Sequence, residues 1–244
     1  MTTIPTHRRP EWPVQLRLPG QTAAHEGPVD MHMMYVMHHA FRRDLGAFAA
    51  AAAVTPGSDR ETWQALARRW ELFSTALHHH HAGEDAGLWP RLLEVADEQG
   101  RATLEAMEAE HEEIDPMLAA CAAGFARLAE RDDDDARRAL AVRLVAARES
   151  LARHLAHEEG DAIALVQQHL TEEDWLALEE EHFRASFSPR QMLALVAWVA
   201  HELPVDAREY VLGKAGLPFR LLWLLGRRSF ARREQAAFRY VTNG

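Results

Sequence analysis

Two His-x-x-x-Glu pairs, His80–Glu84 and His154–Glu158, are the features of this chain best suited to do chemistry. Each follows a single histidine at nearly the same interval: His38 lies 42 residues before His80, and His111 lies 43 before His154. On a helix, a four-residue step puts imidazole and carboxylate one turn apart on the same face. Four imidazoles and two carboxylates without a thiolate suit iron, manganese or zinc. Histidine is abundant, at 15 of 244 residues. The single cysteine, Cys121, rules out an internal disulfide and a cysteine-built zinc site.

The six residues must be brought together by helices, which the surrounding sequence predicts. Alanine, leucine, arginine and glutamate dominate residues 30–169, and β-branched residues are sparse. Helices are expected over about 30–54, capped by Asp30, and over about 60–99, with a kink or break at Pro90. Two more are expected over about 101–130, with Pro116 inside, and about 136–169, behind the acidic run 132–135. Short connections make neighbours antiparallel. The expected fold is all-α: an antiparallel up-down four-helix bundle with additional C-terminal helices. Residues 1–28 form an extended N-terminal lead, 29–170 the bundle, and 171–244 the C-terminal helical extension.

Each bundle helix carries an apolar stripe at steps of three and four, and each stripe contains one histidine. His38 falls among Met34, Phe41, Leu45 and Phe48; His111 falls among Leu104, Met107, Ile114 and Leu118. His80 and Glu84 continue Trp70, Phe73 and Leu77; His154 and Glu158 continue Leu144, Ala147 and Leu151. Glutamate is almost never fully buried without a partner, so two on core stripes call for cations or strong hydrogen-bond donors nearby. Counting rise from the turns puts all six side chains at one level, near the start of the first helix. Six converging ligands exceed what one zinc needs and are natural for two metals in a bundle core. The residues therefore predict a dinuclear non-haem iron centre, Fe2+/Fe3+ with oxo or hydroxo bridging and exchangeable positions for O2, peroxide or NO. Manganese and zinc are the alternatives.

The segments MHHAFRRDL (37–45), HHHHAGEDAGLWPRL (78–92), EAEHEEIDPML (108–118) and RHLAHEEGDAIAL (153–165), taken as an ordered set, resemble the hemerythrin-like HHE cation-binding domain. The resemblance covers residues 30–169 and implies a di-iron site on His38, His80, Glu84, His111, His154 and Glu158. Oxygen-carrying members have His-x-x-x-His on the third helix and His-x-x-x-x-Asp on the fourth. Here the third helix has His111 and Asp115, and the fourth has His154 and Glu158. With one imidazole missing, peroxide or redox chemistry such as catalase-like disproportionation, or sensing of O2, NO or iron through the C-terminal helices, is expected over reversible carriage. Asp115 is a candidate extra ligand, and so is Asp161 should the fourth helix be rotated onto His157. His78, His79 and His81 are expected at the surface or in support, with His81 able to exchange roles with His80. Tyr35, one turn from His38, is expected in the core or as a hydrogen-bond donor, and Cys121 as a small core residue.

Charge adds further limits. With 27 Lys and Arg against 37 Asp and Glu, the net charge of −10 argues against nucleic-acid binding. No apolar run reaches the length of a membrane span, no signal core opens the chain, and a cytoplasmic location is expected. From residue 201 onward, however, eight Lys and Arg outnumber four Asp and Glu. That basic stretch is expected to pack on the acidic bundle or to meet a membrane surface or protein partner. Within it, Leu217 to Leu225 is apolar almost all round and is expected to be buried. Thr171 and Ser188-Pro189 signal two further helix starts, the second helix closed by Pro204.

Overall fold

The computed structural model of the chain describes residues 11–184 and 188–241, and contains no strand among them. The bundle consists of α1 (His32–Val54), α2 (Arg60–Gly83), α4 (Glu98–Glu130) and α5 (Asp134–His157). Neighbours pack in the order α1, α2, α4, α5 and back to α1. Asp59, Asp97 and Asp133 cap three of the four, each accepting from the backbone N–H three residues on. Each cap is worth about 1 kcal/mol.

α1 differs. Asp30 is not its cap, because the residue at that position is Met31, which makes no side-chain bond. Asp30 still serves the helix start through Oδ1, which accepts from the His32 backbone N–H at 3.3 Å, while Oδ2 accepts from Tyr210 Oη at 2.7 Å and pairs with Lys214 Nζ at 2.8 Å.

α2 and α5 both end in a single widened π-helical turn, Glu84–Leu88 and Glu158–Ala162. The chain then continues as α3 (Trp89–Leu93) and α6 (Ile163–His169). The interruption expected at Pro90 therefore comes earlier, and Pro90 sits in the first turn of α3, where proline is tolerated. The second widened turn has no proline. What the two share is a start at the glutamate of a His-x-x-x-Glu pair, in keeping with the occurrence of such turns at functional sites. Pro116 lies inside α4 without ending it.

One end of the bundle core is aromatic. Phe48, Trp70, Phe73 and Phe125 are buried, with ring centroids 5.1 Å apart for Phe48–Trp70 and for Trp70–Phe125. The other end is polar and holds the histidines. Cys121 is buried in the core, and burial pushes its thiol up to about 11.

Beyond the bundle come α7 (Glu172–Leu178), a third widened turn (Glu179–Arg184), α8 (Pro189–Val199), α9 (Val205–Ala215) and α10 (Leu217–Ala237). Thr171 and Ser188 both form capping boxes. α8 ends five residues before Pro204, which instead precedes α9. α8 packs on α1, and α10 on α2 and α8. A buried polar network fastens this layer to the bundle: Arg69 pairs with Asp44 at 2.7 Å and with Glu234 at 2.6 Å, and Trp198 Nε1 donates to Asp44 at 2.7 Å. The expected burial of Leu217–Leu225 is not met. Leu217 is 69% exposed and Leu225 74%, because the inward face of α10 is Gly226, Phe230, Glu234 and Ala237.

Candidate metal centre

All six residues singled out by the helical stripes are buried, and both glutamates are wholly inaccessible. His38 and His80 face each other with Nε2 atoms 3.2 Å apart. His111 and His154 do the same, also at 3.2 Å. The two glutamates reach both pairs. Glu84 lies 3.0 Å from His80 Nε2 through Oε1 and 3.6 Å from His111 Nε2 through Oε2. Glu158 Oε2 lies 3.1 Å from His38 Nε2 and 3.9 Å from His154 Nε2.

A seventh residue joins them. The sequence places His81 at the surface, in support or in exchange for His80; it is buried alongside His80, with its ring stacked on His111 at 3.9 Å and 8°. Successive helical residues point about 100° apart. From α2, His80 turns toward α1 and His81 toward α4 and α5. The donors fall into two groups, His38, His80, Glu84 and Glu158, and His81, His111 and His154. Within each group the candidate ligand atoms all lie within 4.8 Å of one another. Five imidazoles are present, not four. His78 is exposed and His79 half-buried.

An outer set of carboxylates orients the rings. Glu159 Oε1 holds His38 Nδ1 at 2.9 Å, Asp85 holds His111 Nδ1 at 2.8 Å, and Glu110 holds His154 Nδ1 at 2.8 Å. A carboxylate accepts, so each Nδ1 carries the proton and can leave the Nε2 lone pair pointing inward. Glu159 also takes two bonds from Arg42 and one from the Thr22 backbone, where the N-terminal segment crosses the second widened turn. The apolar stripes do not mark these residues, but two of them carry a signal: each ligand-type glutamate is followed directly by a second acid, Glu84-Asp85 and Glu158-Glu159. Each of those second acids serves a histidine of the opposite hairpin.

The electrostatics are those of a site built for cations. Burial and the facing Glu158 charge push Glu84 well above the usual carboxylate range. Glu158 goes the other way, down to about 2, because His38 outweighs the cost of its burial. His38, despite its burial, is pushed up to about 9 by Glu158 and Glu159. His80 and His81 are pushed down by burial and by neighbouring imidazoles. The four oxygens of Glu84 and Glu158 and both ring nitrogens of His81 are buried without a hydrogen-bond partner. So many orphaned donor atoms at one place would be expensive without an ion, and their hard oxygen and imidazole chemistry fits iron.

The remaining candidates stand apart. Asp115 is exposed on the outer side of α4, because His111, Ile114 and Leu118 take the inner face. Asp161 is also exposed; it lies 3.6 Å from His157 Nε2, on the flank of α5. The rotated register is thereby excluded: Leu144, Ala147, Leu151 and His154 are the buried residues of α5. Tyr35 is buried beside the centre, and its phenol is pushed up by burial and by Glu159 and Glu158.

Residues 29–166 match the family model described as the hemerythrin HHE cation-binding domain. No curated protein and no solved structure matches the chain. No helix among the described residues is long and apolar enough to cross a membrane.

Proposed function

Since the chain belongs to the hemerythrin family of HHE cation-binding domains, we propose that its bundle holds two iron ions and reacts with peroxide or O2. In this reading His38, His80, Glu84 and Glu158 would hold one ion and His81, His111 and His154 the other, with Glu84 and Glu158 within reach of both groups. The observation that carries it is two adjoining groups of buried donor atoms, among them four carboxylate oxygens and both His81 nitrogens without a hydrogen-bond partner. Residues 29–170 form the metal-binding unit and 171–244 its extension.

Two irons, if bound, would relay two electrons from one peroxide, released as O2, to a second, reduced to water, without an external donor. The protein's own residues do the rest. Glu159, Asp85 and Glu110 hold the rings of His38, His111 and His154 in the tautomer that binds. Complete burial of Glu84 and Glu158 keeps bulk water away from their carboxylates. Tyr35 keeps its proton, with its phenol raised well above the ordinary value. The test is iron-loaded protein with peroxide and no co-substrate. About two irons per chain and disproportionation of peroxide to water and O2 above the rate of free iron are expected. One zinc, or no turnover, would overturn the reading.

A second reading, sensing of O2, NO or iron, is favoured by one contact chain. Phe41 lies 5.2 Å from the His80 ring and 5.6 Å from Trp198 of α8, linking the centre to the extension. It predicts that metal or ligand changes limited proteolysis of residues 171–244. A protein or membrane partner at basic α10, whose Leu217, Leu221, Leu224 and Leu225 are exposed, would be the recipient. A cytoplasmic location completes the proposal.

A further inference from the structure

The extension encloses space that the metal centre does not use. A cavity of about 490 Å3 lies between α1, α2 and the added helices. Met34, Ala76 and His80 form its buried floor, and Met37, Leu195 and Val199 contribute to its apolar walls. That volume is in the range of small-molecule sites, roughly 300–1,000 Å3. Its carboxylates, Glu172, Glu179 and Glu180, come from α7 and the widened turn that follows it.

A second recess of about 450 Å3 adjoins it, and Ala200 and Arg208 line both. This recess is cationic. Arg208, Arg227 and Arg228 line it together with His201, and the one carboxylate present, Glu202, lies 3.8 Å from His201. None of the three arginines forms an ion pair among the described residues. Arg208 and Arg227 rest over the Trp223 ring at 5.3 and 4.9 Å. Arg208 Nε is shielded from water without an acceptor. Arg227 and Arg228 are exposed, while the shielded Arg208 Nε calls for an acceptor that an anion would supply.

We propose that the two spaces form one binding site for a single-chain anionic amphiphile. The alkyl tail fills the apolar cavity against the wall that includes His80, and the carboxylate or phosphate head sits among Arg208, Arg227 and Arg228. The orientation follows from the balance of charge: the first cavity sets Glu172, Glu179 and Glu180 against Lys214, which Asp30 already pairs, whereas the second offers three arginines and one carboxylate. The site stands independently of what the bundle binds, and goes beyond the metal chemistry.

The test is titration of the full chain, below micelle formation, with laurate, dodecyl phosphate, dodecanol and hexanoate. Binding is followed by calorimetry and by tryptophan fluorescence, because Trp175 lines the cavity and Trp223 the recess. At least one of the two dodecyl anions should bind about tenfold or more tighter than dodecanol. The stronger of the two identifies the head group as carboxylate or phosphate. Hexanoate should bind about tenfold or more weaker than laurate, having lost six buried methylenes. Arg208→Gln with Arg227→Gln should abolish the preference for the anion while dodecanol binding persists. Leu195→Trp should weaken the dodecyl ligands. Absence of binding by both anions, dodecanol as tight as both anions, or hexanoate as tight as laurate would each overturn the proposal. These comparisons use the unaltered protein, so they hold even where a variant fails to fold.

Discussion

His81 stacks on His111 with ring centroids 3.9 Å apart and planes 8° from parallel, and neither His81 nitrogen has a hydrogen-bond partner. A purely structural histidine in a core satisfies at least one nitrogen. A ring with both nitrogens orphaned beside two other imidazoles has the surroundings of a ligand. His81→Leu is therefore expected to fold and to lower bound metal from about two ions per chain toward one. Metal analysis of purified protein checks this. An unchanged content would return His81 to the packing of α2 against α4.

Glu159 tests the outer carboxylates. It accepts from Arg42 at 2.7 and 2.9 Å and holds His38 Nδ1 at 2.9 Å. Glu159→Gln keeps the shape but loses the charge that orients and polarises the ring. Metal affinity is expected to fall roughly 10–100-fold, the usual cost of such partners. Competition with a chelator of known affinity measures it. Asp85→Asn should act in the same way through His111.

The fold was legible because four apolar stripes at steps of three and four each contain a single histidine, and burial follows those stripes in all four helices. That His38, His80, Glu84, His111, His154 and Glu158 lie buried together was legible for the same reason. His81 was not, because it lies 100° off the α2 stripe, and one stripe per helix cannot represent a residue that serves a second neighbour. Glu159, Asp85 and Glu110 were hidden because outer carboxylates act across the bundle, and their partners lie 121, 26 and 44 residues away. Leu217 to Leu225 misled for the opposite reason. Its composition is that of a buried helix, but α10 lies outermost and only one of its faces meets α2 and α8. Asp30 divides its oxygens between the start of α1, through His32, and α9, whose position no local pattern reveals.

Glu84 and Glu158 make removal of metal a stability experiment. Chelation is expected to lower the melting temperature, because an ion bound only by the folded state stabilises it. Glu84→Gln should then have opposite effects in the two forms. In the chelated protein it relieves a buried carboxyl that Glu158 repels, and stability should rise by about 1 kcal/mol. In the metal-loaded protein it removes a carboxylate that both groups of donors reach, and both metal content and melting temperature should fall. Scanning calorimetry of the two forms checks the reversal. A loss in both would mean that Glu84 is held by protein contacts alone.

Asp30 gives the extension a dependence on pH. Burial opposes its charge, but His32, Lys214 and Tyr210 together hold its carboxyl well below the usual range. Tyr210 is correspondingly pushed up to about 12 by burial and by Asp30. A carboxyl whose folded value is depressed binds fewer protons folded than unfolded. Its contribution is therefore fully present above the unfolded value of about 3.9 and is lost as pH falls through and below it. Asp30→Asn keeps the shape and removes the charge. The stability difference between the original protein and this variant should be about 2 kcal/mol at pH 6, and should shrink steadily from about pH 4 toward pH 2. Denaturant unfolding of the pair across that range measures it. A difference that stays constant with pH would show that Asp30 anchors α9 through neutral hydrogen bonds, and that its pairing with Lys214 contributes nothing.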